Sequence, residues 1–176
     1  LSLTTAIPSY VNDSTPHLIF TSAEAGTISY ENTCSSAATA ASVGTNEITL
    51  NSLSDGPYTD CRLKVIDAVG NVGTLSLGSF TVDTVAPSLS LTTAIASTGN
   101  DATPSFVINA SEASNIGYSG ACTSNTSAVQ AGDNEITLNK LGDGTYADCK
   151  IQLSDSAGNQ SNLHPFASFL VDTTAP

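Results

Sequence analysis

Polar and apolar residues alternate in short runs along the whole chain, and turn residues separate the runs. Between positions 61 and 65, Cys61, Leu63 and Val65 alternate with Arg62 and Lys64, so an extended backbone buries one face and wets the other. Cys149, Ile151 and Leu153 repeat the pattern against Lys150 and Gln152. Helix signals are almost absent, and β-branched runs bounded by Gly, Pro, Asn and Asp indicate an all-β chain. The pattern predicts strands over 1–6, 17–22, 27–31, 47–51, 58–66 and 75–82, with a further short one over 40–43. A second set falls over 89–94, 105–109, 116–119, 135–139, 146–154 and 166–171.

The second set copies the first. Leu1-Ser2-Leu3-Thr4-Thr5-Ala6-Ile7 returns as Leu89-Ser90-Leu91-Thr92-Thr93-Ala94-Ile95, and the same offset relates Cys34 to Cys122, Glu47 to Glu135 and Cys61 to Cys149. Two tandem domains follow, 1–87 and 88–176, each near the size at which a single core is barely sufficient. Six or seven short strands in so small a unit predict a two-sheet sandwich with Greek-key connections. The junction 80–87 is short and lacks Gly, which predicts domains arranged end to end. Asp55-Gly56 and Asp143-Gly144 supply turn chemistry ahead of the long strands. Leu53 with Tyr58, and Leu141 with Tyr146, resemble the tyrosine corner of such sandwiches, in which the phenol bonds back to the turn backbone; the role is structural.

Charge narrows the partners. The chain of 176 residues holds 4 Lys and Arg against 16 Asp and Glu, a net charge of −12 at pH 7, divided evenly between the repeats. Such a surface repels phosphate backbones and anionic lipid, which argues against nucleic-acid or membrane-surface binding; it suits solubility first and cation capture second. No apolar run is long enough to span a bilayer as a helix. Met is absent and no basic-then-apolar signal stands at Leu1, so we expect a piece of a longer protein whose export signal lies elsewhere.

The four cysteines sit at matched positions, with one spacing separating Cys34 from Cys61 and Cys122 from Cys149. The arrangement points to one disulfide in each repeat. Metal ligation fits poorly, since there is no C-x-x-C pair or nearby His, and reduced core thiols are the alternative. A bridge implies an oxidising, extracellular setting and adds about 3–4 kcal/mol to a small core on the chain-entropy account. In a sandwich it would lie within a sheet or tie its border to a loop, unlike the antibody bridge that joins two sheets. Tyr58 and Cys61 are also an odd number of residues apart, so a regular strand cannot point both inward, and a bulge is expected near Asp60 and Asp148.

Three signatures carry a family likeness: Glu47-Ile48-Thr49-Leu50 with Leu53-x-Asp55-Gly56-x-Tyr58, then Asp67-x-x-Gly70-Asn71, then Val82-Asp83-Thr84-x-Ala86-Pro87. Asp155-x-x-Gly158-Asn159 and Val171-Asp172-Thr173-x-Ala175-Pro176 match them. Together they resemble the bacterial immunoglobulin-like (Big-type) tandem repeats of large surface or secreted adhesins, over nearly the whole chain. The resemblance implies immunoglobulin-like sandwiches stacked as extenders, with neighbouring repeats of the same polypeptide as partners. Some such repeats bind calcium at or near junctions, whereas paired Cys are unusual for them.

For Asp67 and Asn71, ordinary Gly-Asn turn chemistry competes with a calcium site in which one of them converges with Asp83 of the linker and Asp101 of the next early loop. No EF-hand loop is present. His17 and His164 are non-equivalent and read as surface or strand-edge residues, and no nucleophile motif appears, so no enzymatic activity is expected. The expected function is a non-catalytic spacer in a surface or secreted adhesin. Its rivals are an adhesion module that grips a glycan, host protein or other cell-surface ligand, and an accessory domain of a secreted hydrolase.

Overall fold

The alternating runs do form strands, and no segment is helical. The computed structural model describes residues 1–176, which divide into two compact units, Leu1–Thr84 and Val85–Pro176. This division falls a few residues before the predicted one at 87/88. The first unit contains β1 (Ser2–Thr5), β2 (Tyr10–Val11), β3 (His17–Ser22), β4 (Gly26–Glu31), β5 (Ala40–Ala41), β6 (Gly44–Thr49), β7 (Gly56–Tyr58), β8 (Arg62–Ile66), β9 (Val72–Ser76) and β10 (Phe80–Val82). The second contains β11 (Leu89–Thr93), β12 (Thr98–Gly99), β13 (Ser105–Ala110), β14 (Ser114–Ser119), β15 (Ala128–Val129), β16 (Gly132–Thr137), β17 (Gly144–Tyr146), β18 (Lys150–Ser154), β19 (His164–Pro165) and β20 (Phe169–Val171).

Each unit is an immunoglobulin-like sandwich. In the first, the sheet β1-β3-β6 packs over the sheet β5-β4-β8-β9, and a small sheet β2-β10-β7 finishes one end; the second repeats these orders. The faces follow the alternation. Leu18, Phe20 and Ile48 from one side meet Ile28, Leu63 and Val65 from the other, all buried, while Arg62 is exposed and Lys64 pairs with Glu31. Phe106, Ile108 and Ile136 with Ile116, Ile151 and Leu153 form the second core.

The two longest predicted strands of the first unit are interrupted. Strand 58–66 becomes β7 and β8, and strand 75–82 becomes β9 and β10, with the ladder open at 59–61 and 77–79. The register does not change across the gap, because Arg62 faces Ser76 and Tyr58 faces Phe80, an equal step along both strands. The parity conflict between Tyr58 and Cys61 is therefore resolved by opening the ladder, not by the extra residue of a bulge at Asp60 or Asp148. A bulge does occur, in the other strand of the second unit. Lys150 faces Pro165 and Ile151 faces His164, yet Ser154 bridges Gln160, so one extra residue is taken up between Gln160 and His164.

The strand directions give each unit two distinct poles. The chain enters where Ser2 faces Thr21, the pole that also holds the ends Gly26 and Ile66. It leaves at the opposite pole, where Val82 faces Gly56 and lies beside Val11. The second unit does the same, entering where Leu89 faces Ala110 and leaving where Val171 faces Gly144 and Gly99.

Leu63 is fully buried between Tyr30 and Leu75, whereas Arg62 beside it points outward. Leu63→Ala should cost about 2–5 kcal/mol and Arg62→Ala about 0.5 kcal/mol or less, read from chemical denaturation midpoints. Equal losses would contradict the assignment of faces.

Candidate functional site

Small sandwiches bury little, so the polar and covalent ties that hold them are the natural place to look for function. The disulfides join Cys34 to Cys61 and Cys122 to Cys149, with Cα atoms 5.4 and 5.3 Å apart. Each lies at the border of one sheet. Glu31 and Arg62 form the last pair of the β4–β8 ladder, and the chain turns at Asn32, in the left-handed region at φ 65°, to bring Cys34 over Cys61. Gly120 makes the same turn at φ 81°, where a Cβ would lie 2.3 Å from the Asp148 carbonyl oxygen.

Tyr58 donates its hydroxyl to the Ser54 carbonyl at 2.9 Å and stacks on Phe80, with ring centroids 5.2 Å apart. Tyr146 does the same with the Gly142 carbonyl at 3.0 Å and Phe169 at 5.3 Å. A second tyrosine pair carried no sequence signal. Tyr30 donates to the Ala38 carbonyl and Tyr118 to the Thr126 carbonyl, and burial pushes both phenols above their usual range.

The Asp67-x-x-Gly70-Asn71 segment is a self-contained turn between β8 and β9. Asp67 Oδ1 accepts from the amides of Val69 and Asn71 at 2.9 and 2.8 Å, Oδ2 accepts from Asn71 Nδ2 at 2.7 Å, and Gly70 takes φ 93°. Asp155 repeats the pattern with Ala157 and Asn159. The Asn71 side chain, followed by its amide, holds the Asp67 carboxyl below its ordinary range.

Within the first unit, Asp67 and Asn71 are not brought to Asp83. Asp67 and Asn71 lie at the entry pole of the first unit and Asp83, just past β10, at its exit pole. Asp101 lies at the exit pole of the second unit, between β12 and β13, where its Oδ1 accepts from the amide and hydroxyl of Thr103. Strand polarity separates them: β8 ends where the chain comes in, and β10 ends where it goes out. Glu24 and Asp67 line one entry-pole cavity of about 190 Å³, and the equivalent pair Glu112 and Asp155 have oxygens within 4.8 Å of each other. His17 is exposed on β3, and His164 pairs with Ile151 on the edge strand β19, next to Pro165.

Two measurements probe these turns. Because the Asp67 carboxyl is lowered in the folded state, its contribution is present above the unfolded value of about 3.9 and is lost as pH falls through the folded value. Asp67→Ala should lower the melting temperature at pH 7, with the gap to wild type closing below about pH 4; a gap independent of pH counts against the turn bonds. Chelation with EGTA tests the calcium reading: a fall in the melting temperature would show that a cation is held, and an unchanged one would count against it.

No protein-family model matches the chain, and no curated protein matches it. Among solved structures it is similar to the fibronectin(III)-like modules of CbhA from Clostridium thermocellum, at 11% identity over 97% of this chain and 93% of that chain, with a TM-score of 0.48.

Proposed function

We propose that this chain is a non-catalytic structural spacer from a bacterial surface or secreted adhesin. The observation that carries the reading is the placement of the chain ends: in each unit the polypeptide enters at one pole and leaves at the opposite one. A module strung in series needs this, since every unit then adds its length to the stalk. The repeated ties support it. Disulfide, tyrosine corner and Asp-Asn turn recur at equivalent positions, while the connections 35–39 and 123–127 between them differ in sequence. Two bridges in so small a chain suit an exported, oxidising location.

Solution scattering on the two-unit chain should show an elongated particle two units long, and a compact or freely jointed one would count against a spacer. A glycan array and a pull-down should return nothing above background. A captured glycan or protein would favour the adhesion-module reading, and a catalytic domain in the parent polypeptide would favour the hydrolase accessory.

A further inference from the structure

The Asp-Gly pair before each tyrosine corner holds a feature that turn chemistry leaves unexplained. Gly56 and Gly144 need their residue type, with φ at 142° and 155°, but Asp55 and Asp143 reach away from their own turns to the strand end where the chain leaves the unit. Asp55 Oδ1 accepts from the Thr84 amide at 3.1 Å, and the Thr84 hydroxyl lies 3.0 and 3.2 Å from its two carboxylate oxygens. Asp143 Oδ1 accepts from the amide and hydroxyl of Thr173 at 2.9 and 2.7 Å, while Oδ2 accepts from the Thr174 hydroxyl at 2.7 Å. These bonds join residues far apart in sequence, and they recur in both units.

The pairing of β7 with β10 explains why they form. Val82 faces Gly56, so the residue before that glycine lies beside the chain that follows Val82. Val171 faces Gly144 in the same way. An anionic acceptor there takes an amide that has just left its ladder, and charge-assisted bonds of this kind are the stronger ones. The Leu-x-Asp-Gly and Val-Asp-Thr signatures are thus two halves of one device.

We propose that Asp55 and Asp143 are latches that fix the path of the polypeptide out of each unit. The proposal deepens the spacer reading, in which a defined exit path keeps successive units from swivelling.

Amide hydrogen exchange followed by NMR on the whole two-unit chain tests it. The Thr84 amide should be protected in the native chain, and Asp55→Ala should speed its exchange by about tenfold or more while leaving the Leu63 amide unchanged. Asp55→Asn keeps a side-chain carbonyl acceptor and should retain most of the protection, which separates a lost bond from a damaged fold. Should Asp55→Ala fail to fold, Asp143→Ala read at the Thr173 amide serves the same purpose. A Thr84 amide that exchanges as fast as an unprotected one, or as fast in the native chain as in Asp55→Ala, overturns the latch. Capture of a glycan would overturn the spacer reading instead, since Thr84 protection is measured without any ligand.

Discussion

Each unit depends on how it closes the gap in its longest hairpin. Where β7 passes into β8 and β9 into β10, the ladder bonds stop, and buried backbone groups without partners are costly. One backbone bond spans the gap, from the Leu77 amide to the Cys61 carbonyl at 3.0 Å, and from the Phe166 amide to the Cys149 carbonyl at 2.9 Å. The disulfide is anchored at that same residue, so the end of β4 or β14 is tied to the weakest point of the neighbouring strand. The units differ in how they complete the repair. Asn32 donates its side-chain amide to the Asp60 carbonyl in the first, whereas the Ala121 amide donates to the Asp148 carboxylate in the second, where Gly120 has no side chain to offer. The need is conserved between the copies while the groups that meet it are exchanged.

This arrangement accounts for the chain's composition. A core built from a few Phe, Leu, Ile and Val in units this small leaves a narrow margin of stability, and ties across the sheets add to it without enlarging the core. Carboxylates are well suited to the task because each can accept several backbone amides at once, as Asp67 and Asp155 do at the entry pole. A share of the acidic charge is therefore structural.

Much of this was legible in the sequence. The burial of Cys61, Leu63 and Val65 follows from alternation, and the cysteine pairing follows from equal spacing between copies. The gap in the hairpin was not, because the apolar pattern continues through it: Cys61 and Leu77 are as buried as the strand residues beside them. Strands β2 and β12 are two residues long and pair in parallel with β10 and β20, too short to leave a period. The role of Asp55 was hidden for another reason. Its partner Thr84 lies beyond four intervening strands, and an Asp before Gly already has a sufficient local explanation. The separation of Asp67 from Asp83 followed from strand direction, which motif spacing does not encode.

The extra residue in the second unit shows which half of the hairpin must stay fixed. It falls among Ser161, Asn162 and Leu163, on the entry side, and shortens the outer ladder from the five pairs of β8 with β9 to the two of β18 with β19. The lost bonds are replaced locally: the Ser161 hydroxyl accepts from the Leu153 amide and Gln152 donates to the Ser161 carbonyl. Pro165, which has no amide to give, sits on this open edge, where none is required. Past the insertion the original register resumes, because the Phe166 amide meets Cys149 and Tyr146 stacks on Phe169, as their counterparts do in the first unit. The same insertion between Phe166 and Phe169 would shift Phe169 off Tyr146 and carry Thr173 away from Asp143. The exit side therefore tolerates substitution better than it tolerates changes of length.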